Sequence, residues 1–129
     1  MGRRINVNKK GFHSESYHEK AWGYELWIHN EEDYCAKILH FNKGAKFSMH
    51  YHIIKEETWY VQSGLFVLNI IDTDTAQISS HNLHVGDIVE IPRGAPHQLV
   101  AIEEGDIFET STQHFEEDSY RVWKGNSQE

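Results

Sequence analysis

The chain has 129 residues, 39% of them hydrophobic, and a formal net charge of −8. This length suits a single domain with a sizeable core, and the scattered acidic residues disfavour a nucleic-acid backbone or an anionic membrane as a partner. No apolar run approaches the roughly 18 residues of a membrane span, and the only cysteine, Cys35, excludes an intramolecular disulfide, so we expect a cytoplasmic protein.

The first third of the chain passes from an irregular segment into strands. Residues 1–19 are polar and have no clear period, which predicts an arm that lies on the body or is partly disordered. The aromatic segment Trp22–Trp27 follows, and aromatics this dense indicate packing in a core or an interface, with the lining of a ligand site as the alternative. Apolar residues then alternate, which predicts a strand with Cys35, Leu39 and Phe41 on one face.

Two histidines and a glutamate follow at a spacing that suits a metal ion. His50 and His52 leave the same face of a strand, with their Cα atoms roughly 6.6–6.8 Å apart. Glu57 begins the next apolar run, in which Trp59 and Val61 share its face. A hairpin back from the His50 strand would bring the Glu57 carboxylate to the two imidazoles. These three side chains form an incomplete ligand set.

A fourth ligand is offered by the segment from Gly86 to His97. A Gly turn, a short β-branched strand and a Pro/Gly bend lead to His97. Three histidines and one glutamate suit a borderline divalent ion such as Zn, Mn, Fe(II), Co or Ni, and an octahedral ion would keep positions open for water or substrate. The alternative is that these side chains only line a polar pocket.

The remaining sequence predicts further short strands. They are expected at 65–71, around 77–81, and at 88–91, 97–102 and 107–111, divided by polar turns. No apolar stripe of helical period exceeds two turns. Short strands at close intervals favour an all-β sandwich or barrel, and the mouth of a barrel is where a ligand cavity is expected.

The two histidine-bearing segments resemble the paired motifs of the cupin superfamily. The first motif, G-x5-H-x-H-x3–4-E-x6-G, is matched by Gly44, His50, His52, Glu57 and Gly64. The second, G-x5-P-x-G-x2-H-x3-N, is matched by Gly86, Pro92, Gly94 and His97, with Ala101 in place of the final Asn. The resemblance implies a small jelly roll (double-stranded β-helix) over residues 20–122, with a C-terminal tail at 123–129. It also implies one divalent metal ion on the three histidines and Glu57, and a homodimer for which Trp22–Trp27 is the expected interface.

A closer resemblance is to the cupin domain of type II mannose-6-phosphate isomerases, over about residues 20–121. It is carried by the Trp22-Gly23-Tyr24 entry, the Glu57-Thr58-Trp59 block and the acidic tail that ends in Tyr120 and Arg121. The isomerases tend to have Gln where this chain has His50, and the Arg that usually follows their last metal histidine is Gln98 here. These departures weaken the transfer of a sugar-phosphate substrate.

The resemblance makes an isomerase or epimerase of a small sugar or sugar phosphate the first functional hypothesis. A metal ion would stabilise the charge that develops on the sugar oxygens, and a nearby base would shuttle the proton. The candidate catalytic residues are Arg121, Glu109, His114 and Tyr120, with Arg121 expected on a phosphate. The candidate substrate-binding residues are Trp59, Lys46 and Lys55. A surface salt bridge is the alternative for each charged candidate, and a core position is the alternative for Trp59.

Two other classes of function share the same ligand set. An Fe(II)-dependent cupin dioxygenase uses three histidines and one glutamate, and an apolar cavity near Trp59 would favour it. A non-catalytic cupin that binds a sugar or a metal would retain its ligand without turnover. Fold alone does not separate these classes, whereas a cavity with several cations would favour the isomerase.

Overall fold

The fold comes from a computed structural model, which describes residues 4, 5, 7 and 16–128. Within those residues it contains eleven β-strands and a short 3-10 helix at Asn126–Gln128. The strands are β1 Tyr17–Lys20, β2 Gly23–Asn30, β3 Cys35–Phe41, β4 Met49–Tyr51, β5 Glu57–Val61, β6 Leu65–Ile71, β7 Ile78–Leu83, β8 Ile88–Ile91, β9 His97–Glu103, β10 Gly105–Ser111 and β11 Tyr120–Trp123.

The strands form two antiparallel sheets that share one core. One sheet has the order β1-β2-β3-β10-β5-β8 and the other has the order β11-β4-β9-β6-β7. Core side chains come from both sheets and include Phe41, Trp59, Phe66, Leu99 and Ile107, none of which has exposed surface. Burial stabilises a fold by about 1.5–3 kcal/mol for each large apolar side chain. The prediction of an all-β jelly roll is confirmed.

Alternation along β3 shows how the sequence sets the two faces of a sheet. Cys35, Lys37, Leu39 and Phe41 are buried, and the residues between them are partly exposed. The predicted strand and the packed position of Cys35 are confirmed. β6 and β8 have the predicted limits, while the ends of β7, β9 and β10 differ from the prediction by one or two residues.

The predicted hairpin between the His50 strand and the Glu57 strand is wrong. β4 lies between β11 and β9 in one sheet, whereas β5 lies between β10 and β8 in the other. The connection from His52 therefore crosses between sheets, and Glu57 approaches the histidines across the barrel. Periodicity tells which face of a strand is buried, but it does not tell which strand is its partner.

The aromatic segment of β2 packs within the chain. Trp22 is buried and stacks on Phe41 with ring centroids 4.5 Å apart. Trp27 stacks on His18 at 3.9 Å. Packing was the first expectation for this segment, and the alternative also applies in part because Trp22 lines the cavity described below. Its role as a dimer interface stays a prediction.

Regular structure crosses both predicted domain boundaries. β1 begins at Tyr17 and pairs with β2, and β11 extends to Trp123. Most of the predicted arm lies outside the described residues, and the boundaries at 19 and 122 stay predictions. No helix in the described part of the chain has the length and apolar character that crossing a membrane requires.

Candidate metal centre

Four side chains from different strands meet inside the barrel. His50 lies on β4, His52 directly follows that strand, Glu57 begins β5 and His97 begins β9. The ligand nitrogens of the three histidines lie within 4.8 Å of one another. Glu57 Oε2 lies 3.4 Å from His52 Nε2 and 3.9 Å from His97 Nε2. The structure thus brings together the four residues that the motif spacing indicated.

The turn before β9 ties the two motifs together. Gly94 has a φ of +79°, a conformation that glycine adopts without strain. Its N–H donates to the carbonyl of His52 at 2.7 Å. The turn that delivers His97 is therefore attached to the segment that carries His52.

Backbone carbonyls orient all three imidazoles. Nδ1 lies 2.7 Å from the Ser48 carbonyl in His50, 2.6 Å from the Asp118 carbonyl in His52 and 2.8 Å from the Ala95 carbonyl in His97. A carbonyl only accepts, so each Nδ1 must carry the proton. In a neutral ring the lone pair then resides on Nε2. This arrangement leaves three Nε2 atoms as metal ligands, each with its ring held by an outer hydrogen bond.

A hydrogen bond to one of its two oxygens orients the Glu57 carboxylate. Trp59 Nε1–H donates to Glu57 Oε1 at 2.6 Å. Glu57 Oε2 is buried and has no hydrogen-bond partner among the described residues, a situation that costs about 1–3 kcal/mol when nothing else satisfies the atom. A divalent cation held by this oxygen and the three imidazoles would satisfy it. The side chains present therefore fit a metal ion of the Zn, Mn, Fe, Co or Ni class.

The protonation state of the histidines suits metal binding. Burial lowers the pKa of His97 to about 3. Burial also lowers the pKa of His50, with a further contribution from the neighbouring imidazoles, and that of His52, with a further contribution from Lys55. The three rings are neutral at pH 7, so a metal ion does not have to displace a proton from them.

These side chains line a cavity of about 160 Å³. Its buried part includes Lys37, His52, Lys55, Glu57, His97 and Glu109, and its partly or fully exposed rim includes Lys20, Glu116, Ser119, Ser127 and Gln128. The apolar members of the described lining are Trp22, Leu39 and Phe47. A cavity with this much polar and charged surface suits a small polar ligand.

Three of the predicted catalytic and substrate-binding residues form a group beside the four candidate metal ligands. Lys55 Nζ lies 3.2 Å from Glu109 Oε2, 3.8 Å from Glu57 Oε2 and 3.3 Å from His114 Nδ1. Asn30 holds His114 in place, since its side-chain amide bonds both the N–H and the carbonyl of His114. Lys55 thus contacts both acid–base candidates, Glu109 and His114, and also Glu57 of the four converging side chains, which we call the metal set.

Burial and charge oppose each other in this group. Burial alone would lower the pKa of Lys55, but the carboxylates of Glu109 and Glu57 outweigh it and raise that pKa. Burial raises the pKa of Glu109, and the charge of Glu57 adds to the effect although Lys55 opposes it. Burial lowers the pKa of His114 to about 3, helped by the charges of Lys37 and Lys55.

The other predicted residues lie outside the cavity lining. Trp59 is fully buried in the core, where it contacts Phe47 and packs against His97 with ring centroids 5.5 Å apart. Lys46 bonds through its backbone to Asn126. Tyr120 and Arg121 are exposed on β11. The roles predicted for these four side chains stay predictions.

A buried ion pair in the cavity was not predicted. Lys37 Nζ lies 3.2 Å from Glu25 Oε1 and 4.3 Å from the centroid of the Trp27 ring. Trp27 Nε1–H also donates to Glu25 Oε1 at 2.8 Å. The sequence signal for this pair is the position of Lys37 on the face of β3 that carries Cys35 and Leu39. A charge on a buried face requires a partner.

Asp118 was also not predicted, because its contacts are distant in sequence. Its carboxylate accepts hydrogen bonds from the N–H groups of Ile53, Ile54 and Lys55 at 2.9–3.1 Å. Burial alone would raise the pKa of Asp118, but these three donors hold it below its usual value. Together with the carbonyl that accepts from His52, the carboxylate clamps the segment between the two halves of the first motif.

Replacing Asp118 with alanine is expected to destabilise the protein by about 2–3 kcal/mol, because three backbone N–H groups, of which that of Lys55 is buried, lose a charged acceptor. The same change is expected to weaken metal binding about 10- to 100-fold, since the His52 segment loses its support. Urea unfolding and metal titration measure the two effects. Asp118→Asn keeps one acceptor oxygen and should lie between the alanine variant and the wild type. Equal stability of all three proteins would contradict the clamp.

The comparison with protein families decides the family of this chain. A family model described as a cupin domain matches residues 37–110, which include all four converging side chains. The chain is a cupin. The matched residues include both motif segments, strands β4 to β9 and the histidine cluster.

Two curated relatives contain a region similar to this cupin. A protein described as a probable oxalate decarboxylase from Arthroderma benhamiae is 33% identical over 73 residues, which is 56% of this chain and 17% of that protein. The mannose-1-phosphate guanylyltransferase of Salmonella muenchen is 26% identical over 107 residues, which is 78% of this chain and 22% of that protein. The chain thus spans about a fifth of the length of these relatives.

Solved structures show the same fold. A structure of Bacillus subtilis oxalate decarboxylase, described as having Mn(II) centres, superposes on 82% of this chain with a TM-score of 0.72 and 18% identity, and 30% of that protein is covered. Likeness at this level of identity establishes the cupin fold and leaves the activity open.

Proposed function

We propose that this cupin is a metal-dependent enzyme that moves a proton on a small, sugar-like molecule, as an isomerase or epimerase does. The observation that carries the proposal is the Lys55, Glu109 and His114 group, which lies in the same cavity as the metal set. A metal-dependent isomerase uses a Lewis acid and a proton carrier on one substrate, and these two sets of side chains would hold the first and supply the second.

The metal ion would be held by His50, His52, His97 and Glu57. When bound, it would supply a Lewis acid that polarises an oxygen of the substrate. Manganese is a candidate because the Bacillus subtilis structure is described with Mn(II) centres. The wall beside this position consists of groups that can exchange protons, which supports proton transfer over a reaction in an apolar cavity.

Hydrogen bonds suggest how the roles divide within the group. Lysine ammonium has only donors, so the contact of Lys55 with His114 Nδ1 requires that nitrogen to accept, and the ring proton then resides on Nε2. His114 would donate from Nε2 to a substrate oxygen. Glu109 would take and return the carbon-bound proton, with Lys55 holding its carboxylate at 3.2 Å.

The charges of the cavity support a neutral or weakly charged substrate. The two buried lysines are already matched, Lys37 by Glu25 and Lys55 by Glu109, each at 3.2 Å. Arg121, predicted to bind a phosphate, is exposed outside the lining. An unphosphorylated sugar therefore fits the cavity better than a sugar phosphate, and the name of the Salmonella relative supports a sugar as the general class.

The test begins with protein purified without a polyhistidine tag and analysed for metal content. The metal-loaded protein is then incubated in heavy water with aldoses, their phosphates and oxalate, and NMR follows deuterium uptake next to the carbonyl carbon. Deuterium uptake with a ketose or epimer as product is expected. Oxygen consumption without deuterium uptake would indicate a dioxygenase, and binding without any turnover would indicate a non-catalytic cupin.

Replacing Glu109 with glutamine is expected to lower kcat about 10²- to 10⁴-fold, because the amide cannot carry the proton. Metal content should stay at the wild-type level, since Glu109 contacts Lys55 and is not one of the metal ligands. Steady-state kinetics and elemental analysis on the same preparation check both points. Thr110→Ala, one residue further and on the exposed face of β10, is the matched control. An unchanged kcat in Glu109→Gln would remove Glu109 from the mechanism.

A further inference from the structure

The segment after β11 returns to the cavity. Gly125 is buried, and its backbone lies so close to the backbone of Phe47 and Ser48, just before β4, that an added Cβ would clash with both. The 3-10 helix that follows places Ser127 and Gln128 on the rim of the cavity. Only a glycine permits this close approach.

A reciprocal pair of hydrogen bonds fastens this segment. Lys46 N–H donates to Asn126 Oδ1 at 2.6 Å, and Asn126 N–H donates to the Lys46 carbonyl at 3.0 Å. Lys46 itself bridges to Val100 of β9. The rim segment is thus attached to the same sheet that carries His50 and His97.

The side chain of Gln128 is held in one orientation. Gly125 N–H donates to Gln128 Oε1 at 3.0 Å. An N–H can only donate, so the accepting atom is the oxygen, and the amide keeps its two donor hydrogens on Nε2. A preoriented donor at the rim gives an oxygen-rich ligand a hydrogen-bond partner with little loss of side-chain entropy.

We propose that Ser127 and Gln128 determine ligand specificity by binding the hydroxyl groups at the end of the ligand farther from the metal set. The inference rests on the proposed function in that the ligand is taken to be a polyol. Gln128 Nε2 donates to a ligand oxygen, and the Ser127 hydroxyl donates or accepts as the ligand requires. Ligands too short to reach the rim gain nothing from either residue.

Two probes with the same chelating head test this inference. Glycolate and gluconate are both 2-hydroxycarboxylates, and only gluconate carries a polyol chain. Calorimetric titration of Mn²⁺-loaded protein should show that gluconate binds more tightly than glycolate. In Gln128→Ala, gluconate should bind about five- to tenfold more weakly, as expected for one lost hydrogen bond, while glycolate affinity stays unchanged.

Two further variants separate the rim from general damage. Asn126→Ala releases the segment from Lys46 and should reproduce the loss of gluconate affinity. Lys124→Ala, exposed and outside the lining, should change neither probe. Equal weakening of both probes in Gln128→Ala, or no preference for gluconate in the wild type, would overturn the inference. Absence of isomerase turnover would not affect these results, because both probes report binding alone.

Discussion

Replacing His52 with alanine is expected to remove the metal ion and the thermal stability that the ion provides. The imidazole offers one of three candidate ligand nitrogens that lie within 4.8 Å of one another, and its loss leaves two histidines and Glu57. A ligand that binds only the folded state stabilises it by about 4 kcal/mol when its free concentration is roughly 1,000-fold above Kd. Elemental analysis and thermal unfolding with and without added metal measure the two effects.

The surface residue His84 provides the matched control for this experiment. It is exposed beside Asp87, away from the cavity lining. His84→Ala should keep both the metal ion and the rise in Tm on metal addition. Wild-type metal content in His52→Ala would show that the cluster is a polar pocket and that the ion, if any, binds elsewhere.

Replacing Lys37 with methionine is expected to destabilise the protein by about 3–5 kcal/mol, because Glu25 would keep a largely buried charge without its partner. The Lys37 side chain is 2% exposed and that of Glu25 is 16% exposed. The loss is large compared with a total stability of about 5–15 kcal/mol. Urea unfolding of the metal-free protein measures it without interference from metal binding.

The double variant Lys37→Met/Glu25→Gln is the control, since it removes both charges. It should recover most of the lost stability, because replacing a buried pair by neutral groups is often close to neutral. If the single and double variants were equally unstable, packing around Trp27 would explain the loss and the ion pair would not.

The same pair predicts how stability depends on pH. Burial alone would raise the pKa of Glu25, but Lys37 and Lys20 together with the hydrogen bonds from Trp27 and Lys37 hold it at about 2. A folded-state pKa below the ordinary value stabilises the fold above about pH 4.5, and this stability is lost as the pH falls towards 2. The free energy of unfolding should therefore fall by about 3 kcal/mol more in the wild type than in the double variant over this range.

Local patterns predicted most of the fold. The limits of β6 and β8 follow from short apolar runs between turns, and the buried face of β3 follows from its alternation. Side-chain direction in a strand depends only on neighbouring residues, so a period of two is visible in the sequence. The partner of a strand is a non-local property, which is why the hairpin predicted between β4 and β5 was wrong.

The contacts around the candidate metal ligands could not be predicted for the same reason. Asp118 binds the N–H groups of Ile53 and Ile54, which are 65 and 64 residues away, and Lys55 reaches Glu109 across 54 residues. Nothing in the composition of either segment indicates the other. The one available sign was Lys37, a charge on the buried face of a strand.

The sequence by itself determined the cupin family and the jelly roll, and it indicated His50, His52, Glu57 and His97 as candidate metal ligands, because these depend on residue type and spacing along the chain. The tertiary structure decided which oxygen of Glu57 and which nitrogen of each histidine remain free for a metal ion. It also decided that Glu109 and His114 accompany them while Arg121 lies outside the cavity lining. These outcomes depend on contacts between strands far apart in sequence, which form only when the two sheets close on their common core.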